Sequence, residues 1–440
     1  MHTVRLLPSP YLCADYYTIG TMSSIYNAIL TLAGLILTLI ARIQVMVPGS
    51  GKFRKFAAGQ QGLIETIQKE TGDTGNLPAL WIHASSLGEY GVARPIIRQL
   101  KKEGKYRIIL TFFSPTGYEA LRWHHPDADH VFYLPLDTRR NVRRFLDAVQ
   151  PRKAIFIISE YWLNYLSELK RRNIPTYLIS AVISRNAPFF KWYGGIYRKS
   201  LEAFTHFMVL NEQSKANLRA LGFENISITG DPLFDNAIAV STTPWHNPVI
   251  ERFARQGDLF IAGSISDKKD MALVSSLANN HRDVHFVIVP HEISEEVLNE
   301  IKFCLDGYAL CYSECDENTD FSDTQALIID YLGDLAYLYR YGKWAYVGGG
   351  FTPYLHSIIE ATVYGLPVAF GPLIHRKVTP NELIELHIGS IVRSEKDLDE
   401  WFVKLQANGA ELARIKKTAQ AYTDRNSGAT SHIIRLLGKS

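Results

Sequence analysis

Four cysteines in 440 residues, Cys13, Cys304, Cys311 and Cys315, are too few to staple a fold of this size. Cys311 and Cys315 stand four apart, with no histidine or second cysteine pair at zinc-ligand spacing, so they read as ordinary cytosolic thiols and no metal site is expected. The net charge is only +3 with 21% charged residues, which gives no strong field for nucleic acid, and no nucleic-acid partner is expected. There is no GxGxxG and no GKS or GKT stretch, so dinucleotide and P-loop readings are poor. Fixed-period repeats and low-complexity tracts are missing as well.

Among long uncharged apolar runs there is "MSSIYNAILTLAGLILTLIA", residues 22–41. About 20 apolar residues suffice for a helix to span a bilayer core. No basic stretch precedes it closely and no small-x-small site follows, so it is not a signal peptide. Arg42, Lys52, Arg54 and Lys55 follow it, which by the positive-inside rule keeps the body of the chain cytoplasmic. Residues 22–45 are expected to form a membrane-anchoring helix, with a helix docked on the protein or lying in the interface as the alternative. Residues 1–21 read as a leader outside the native protein, with Met22 as the true start.

Beyond residue 75, short apolar runs alternate with helical patterns. "LWIHA" (80–84), "RIILTFF" (107–113), "AIFIIS" (154–159), "TYLISA" (176–181), "HFMVL" (206–210) and "ISITG" (226–230) form one series. "LFIAGS" (259–264), "HFVIVP" (285–290), "ALIID" (326–330), "WAYVGGG" (344–350) and "PVAFGP" (367–372) form a second. Such runs are buried parallel strands, and strand–helix alternation predicts doubly wound α/β sheets. The alternation pauses at 236–257, a polar stretch with two prolines that reads as a linker. This divides the body into α/β domains at 46–240 and 241–440, with the last helix free to return to the first. Ligands of such sheets sit at the carboxyl ends of the strands, so a cleft between the two domains is the expected active site.

The polar residues at those strand ends carry the chemistry. In "WIHASSLGEYG" (81–91) a strand ends at two serines and Glu89 stands where a helix begins. That carboxylate is either a helix-start acid or the acid or base of an active site. "TFFSPTG" offers hydroxyls and free amides either to an anion or as a simple cap. Glu160 follows "AIFIIS" beside Tyr161 and Trp162, as a sugar-hydroxyl acceptor or a cap. Arg185, after "TYLISA", has the fork that meets a phosphate or carboxylate, or else a surface ion pair. In the second series "GSIS", "PHE" and "LGD" stand at strand ends or helix starts. "VGGGFTPYLHSIIEATVYGLPVAFGP" (347–372) is the most informative stretch. Three glycines let a phosphate approach backbone amides, and His356 and Glu360, four apart, share one helix face. A glycine loop, a helix start and a glutamate one turn in is how two-domain glycosyltransferases hold a nucleotide sugar.

With these motifs in order, the chain resembles the Kdo (3-deoxy-D-manno-octulosonic acid) transferases of lipopolysaccharide synthesis. The likeness runs from "IYNAILTL" through "HASSLGE", "TFFSPTG", "YLPLDTRRNVRRFLDAVQP", "SEYWLN", "LRALGFENISITGDPLFD", "GSIS", "PHE", "DYLGDLAYLY" and "VGGG" to "HSIIEATVYGLPVAFGP". The resemblance implies a GT-B fold, two Rossmann-like domains facing a central cleft. It implies transfer of Kdo from CMP-Kdo to the lipid A precursor with inversion, at the cytoplasmic face of the inner membrane, with no cofactor and no metal. By the same resemblance Glu89 is the general base and Glu160 a transition-state stabiliser. Ser264, Pro290, His291, Gly333, Asp334, Gly348, Gly349, Gly350, His356, Ser357, Ile358, Ile359 and Glu360 hold the CMP donor. Ser86, Gly88, Thr116 and Arg185 meet the acceptor. Three positions depart from the family pattern: Leu233 replaces a lysine or arginine, Ser357 an asparagine and Asp334 a glutamate. A GT-B enzyme with another nucleotide sugar, and a weakened membrane-bound relic, are the alternatives. "RNAPFFKWYGGIYRKS" (185–200) is either an acceptor face or a core helix with a basic rim.

Overall fold

The computed structural model describes residues 16–44, 51–72, 77–123, 125, 127–306, 308–352, 354–374 and 377–438. The chain folds as two units, one running to Asn236 and resuming at Gly428, the other spanning Ala237–Ser427.

The first unit carries β1 (Ala79–His83), β2 (Arg107–Phe112), β3 (His130–Tyr133), β4 (Pro151–Ile157), β5 (Thr176–Ala181), β6 (His206–Val209) and β7 (Ile226–Ile228). They form one sheet in the order β3-β2-β1-β4-β5-β6-β7, parallel throughout. Side chains alternate across it with the period of two that a strand imposes. Trp81, Ile109, Phe156 and Leu178 enter one core cluster, while Leu80, Ile82, Ile108, Ile155 and Ile179 enter the other. Both faces are covered, so the strands read as continuous apolar runs rather than alternating ones. Each fully buried side chain of this size contributes about 1.5–3 kcal/mol.

The second unit carries β8 (Leu259–Ile265), β9 (His285–Pro290), β10 (Tyr308–Cys311), β11 (Thr324–Ile328), β12 (Gly342–Val347), β13 (Val368–Phe370) and β14 (Gly389–Ile391). Its order is β10-β11-β9-β8-β12-β13-β14, again parallel. The apolar runs missed β3, β10 and β14, and all three lie at sheet edges. An edge strand is covered less completely, as the half-exposed residues of β10 and β14 show, so its apolar signal is weak.

The stretch expected as a plain linker is mostly helical, Pro232–Thr242 and Pro248–Ala254. Within the second unit Arg340 donates to the carbonyls of Val240 and Thr243, and Trp245 stacks on Tyr337 with ring centroids 5.5 Å apart. The final helix, Ala429–Gly438, belongs to the first unit, where Ile433 and Leu437 join the core and the Asp235 carboxylate accepts from the Gly428 and Thr430 amides at 2.6 Å.

An N-terminal helix runs Tyr16–Gln44, so it includes residues 16–21 of the stretch read as a leader; residues 1–15 lie outside the described residues. Among the described residues no helix is long and apolar enough to cross a membrane, so the anchor expected over 22–45 is not found as a span. The helix is polar on one side for a reason: Tyr26 donates to Asp137 at 2.7 Å and Asn27 accepts from Asn164 at 2.9 Å. Ile25, Ile29, Leu32 and Ile36 recur at helical spacing on the exposed side.

Candidate active site

In each sheet the chain reverses its direction of progress at one crevice, between β1 and β4 in the first and between β8 and β12 in the second. The carboxyl end of such a crevice is where open α/β sheets bind ligands.

At the first crevice the helix Leu87–Glu103 follows β1. Ser86 is its N-cap, its Oγ accepting from the Glu89 amide at 3.4 Å, while the Glu89 carboxylate accepts from the Ser85 amide. Glu89 therefore is a helix-start acid, and the crevice adds a second property. Burial, and then the neighbouring charge of Glu160, push its carboxyl up to about 8. The Ser85 carbonyl accepts from the amides of Phe113 and Ser114, which stitches the loop after β1 to the loop after β2. A side chain at Gly88 would meet only the Ser86 hydroxyl, at 3.8 Å, so the approach to Glu89 is open.

Glu160 lies three residues past β4, just beyond Ile158, whose φ of 64° is a strained conformation for a β-branched residue. Its Oε2 is 3.2 Å from Nε2 of the fully buried His83 and accepts from the Trp162 indole at 2.5 Å. Burial alone would raise the Glu160 carboxyl. The hydrogen bond from His83, then the bonds from Trp162 and Ser85, outweigh burial and hold it below the usual carboxylate range. Two carboxylates at one crevice with pKa values pushed in opposite directions are an acid–base assignment in structural form. His83 was not singled out from the sequence, a histidine closing a fully buried strand being the available signal, and Trp162 was read there only as an aromatic beside Glu160.

The acceptor residues are placed less uniformly. Ser86 and Gly88 flank Glu89, and Thr116 is exposed on the helix Pro115–Leu121. Arg185 is exposed with its guanidinium 5.1 Å from the Phe190 ring, and makes no hydrogen bond to Glu89 or Glu160 among the described residues. In the 185–200 stretch Phe189 is core, against Tyr161, while Trp192 is 92% exposed.

At the second crevice β8 ends on Gly263, Ser264 and Ile265, with Ser264 at φ 55°. The three glycines after β12 do not act as the sequence suggested. The Gly348 amide donates to the Gly263 carbonyl at 3.0 Å and the Gly349 amide to Asp270 at 2.8 Å, so neither is available to a phosphate. Their role is close approach: Gly349 has φ 87°, and a Cβ on Gly350 would lie 2.5 Å from the Gly371 amide. Asp270, fully buried, also accepts from Ser266 and from the Tyr346 hydroxyl at 2.6 Å, locking the two crevice loops together. The sequence reading missed it.

His291 follows Pro290 at the end of β9, and its ring stands 4.3 Å from that of His356. Burial, then His291 and Lys377, push His356 down to about 4. The helix expected to carry both His356 and Glu360 on one face is only Ile359–Thr362, so His356 precedes it and the shared face is lost, and a turn at Gly365, φ 81°, ends it. Ser357, Ile358 and Ile359 lead into it, and burial pushes the Glu360 carboxyl up to about 7. Gly333, φ 120°, and Asp334 form a separate turn in which Asp334 accepts from Tyr331 at 3.0 Å. They make no hydrogen bond to the glycine loop among the described residues.

A model of the 3-deoxy-D-manno-octulosonic-acid transferase (kdotransferase) family matches residues 56–236. The 3-deoxy-D-manno-octulosonic acid transferase of Chlamydophila psittaci is 26% identical over 68% of this chain and 71% of its own length. That of Aquifex aeolicus is 26% identical over 77% of this chain and 87% of its own. A crystal structure of UDP-GlcNAc 2-epimerase from Neisseria meningitidis, 14% identical, shares the fold, with a TM-score of 0.58 over 83% of this chain and 100% of that one. Two parallel seven-stranded sheets of GT-B-like architecture and a crevice carboxylate pair inside the matched residues stand beside relatives aligned over most of the chain, and in these features the chain is similar to the 3-deoxy-D-manno-octulosonic-acid transferases.

Proposed function

We propose that the protein transfers Kdo from CMP-Kdo to a hydroxyl of the lipid A precursor, with inversion, using Glu89 as the general base. The observation that carries this is the crevice pair: a carboxyl held near 8 beside one held below its ordinary value. A base with a pKa close to the working pH is the most effective proton acceptor. In the reaction Glu89 takes the acceptor O–H proton as that oxygen bonds to the anomeric carbon. The bond from that carbon to the CMP phosphate oxygen breaks, and its electrons leave with CMP. Glu160 remains a carboxylate and stabilises positive charge that develops on the sugar. In the second unit His291, His356 and Glu360 line the donor's crevice, with Ser264 and the glycine loop shaping its floor.

The exposed apolar stripe of the N-terminal helix is our support for a membrane-facing role at the cytoplasmic side of the inner membrane. Arg139 and Arg140, without a carboxylate partner among the described residues, stand beside that helix at a cavity lined also by Leu35 and Leu136. Incubation of the purified protein with CMP-Kdo and lipid A precursor, followed by mass spectrometry, tests the reading. A Kdo adduct that disappears in Glu89→Gln supports it; an adduct formed equally well by that variant refutes the base, and no adduct with the intact protein refutes the transfer.

A further inference from the structure

The crevice of the first unit holds more than two carboxylates. His83 ends β1 with no exposed surface, between Thr111 of β2 and Glu160 past β4. Its Nδ1 is 2.9 Å from Thr111 Oγ1 and 3.1 Å from the Thr111 carbonyl, and its Nε2 is 3.2 Å from Glu160 Oε2. The Trp81 indole N–H donates to the same Thr111 hydroxyl at 2.8 Å. These four groups have few consistent arrangements. An indole nitrogen only donates, so it occupies a lone pair of the hydroxyl. The hydroxyl proton is then free to turn to the nearer of its neighbours, the Nδ1 lone pair. With Nδ1 accepting, the ring proton lies on Nε2 and points at the Glu160 carboxylate. The opposite tautomer would give the Thr111 carbonyl, 3.1 Å away, an N–H to accept, but would aim the Nε2 lone pair at the charged carboxylate, the larger of the two repulsions. Trp162 does not resolve that clash: its N–H is 2.5 Å from Glu160 Oε2 and 3.2 Å from Nε2, so it serves the carboxylate.

We propose that Trp81, Thr111 and His83 form a buried directional hydrogen-bond relay that holds Glu160 oriented, which makes His83 a positioning residue for the transfer reaction. The inference rests on the transferase reading of this crevice. A buried polar network is valuable when every member is satisfied, and this one is. The relay supplies the orientation from the sheet, the most rigid part of the unit. That Glu160 is held below the usual carboxylate range, despite burial, agrees with a donor facing it.

The test uses the full-length protein with ¹⁵N-labelled histidine, His83 being identified by its loss in His83→Gln. The expected spectrum has His83 protonated on Nε2 and unprotonated on Nδ1. Thr111→Val, which removes only the hydroxyl, is expected to mix the tautomers and to lower kcat by about tenfold while KM for CMP-Kdo stays within about twofold. Thr111→Ser restores both, and His83→Gln, whose amide N–H donates to Glu160 without help from Thr111, keeps more activity than His83→Leu. If Thr111→Val does not fold, that glutamine–leucine pair decides. An Nδ1–H tautomer in the unaltered protein, unchanged kcat in folded Thr111→Val, or equal activity of the glutamine and leucine variants would overturn the proposal. Absence of Kdo transfer by the unaltered protein refutes the transferase reading instead and leaves the tautomer measurement standing.

Discussion

Replacing Glu89 with glutamine should stabilise the protein, and only where Glu89 is ionised when unfolded. Burial and the Glu160 charge carry its carboxyl from the ordinary 4.5 to about 8, against the partial pull of the Ser85 and Ser86 amides. A carboxyl whose folded pKa is raised binds its proton more tightly in the folded state. Its contribution to stability is fully present below pH 4.5 and is lost as pH rises through about 8. At about 1.36 kcal/mol per unit the whole shift is worth roughly 5 kcal/mol. Glutamine keeps an oxygen for the Ser85 amide and has nothing to titrate. Thermal unfolding of the two proteins from about pH 4 to pH 9 should therefore give midpoints that coincide at the acid end. They should diverge upward in pH until the variant unfolds roughly 10–20 °C higher, at about 2–4 °C per kcal/mol for a unit of this size. The same variant should transfer no Kdo. Curves that run parallel across the whole range would refute the reasoning, because they would mean that Glu89 titrates alike in the folded and unfolded chain.

Glu160→Gln removes the charge that helps to raise Glu89, so the acid limb of kcat/KM should move to lower pH without reaching 4.5, since burial remains the larger cause; a pH–rate series that leaves the limb in place counts against the coupling. Leu233 packs beside Gly91, where a Cβ would lie 3.5 Å from its Cδ2, on the helix that carries Glu89. Leu233→Lys should thus shift that limb down and raise kcat/KM at neutral pH by about threefold to tenfold, and an unchanged profile would show that position 233 does not act on the base. Gly349→Ala places a Cβ 2.5 Å from the Tyr354 carbonyl at φ 87°, a strain of about 1–3 kcal/mol. CMP titration by calorimetry should show weakened binding; full affinity would mean that the glycine loop does not shape the donor site.

The parts that burial controls were legible. Continuous apolar runs mark strands covered on both faces, which is why the central strands of both sheets could be read and β3, β10 and β14, at the edges, could not. Residue type located Glu89 and Glu160, because a carboxylate at the end of a buried strand has few uses. It could not locate Asp270 or His83. Asp270 sits inside a helix, Lys268–Asn280, and its meaning comes from β12, 79 residues away along the chain to Gly349. The glycines misled in the opposite direction. A local rule assigns their amides to a phosphate, but pairing of β8 with β12 engages that of Gly348 and the Asp270 carboxylate engages that of Gly349.

The leucine at 233 raised the reading of a weakened relic, and the energetics of the crevice argue against it. A binding fold with no reaction to serve gains nothing from a carboxylate that is roughly 5 kcal/mol less stable ionised than in water. Leucine or glutamine at that position would be the more stable choice. Ile158 at φ 64° and Ser264 at φ 55° are further conformations that non-glycine residues adopt at a cost, and both sit at the ends of the crevice strands β4 and β8. Glu160 adds a buried charge that requires His83 and Trp162 to stay ionised. Positive φ recurs elsewhere, at Gln150, Asn173, Ser180 and His387, so the weight rests on the carboxylates: Glu89 and Glu160 place two buried acids at one crevice, each at a cost to the fold. A cost of that kind at the end of a crevice strand is what a transition state repays, so Leu233 is better read as a change in how the base is tuned than as the loss of its site.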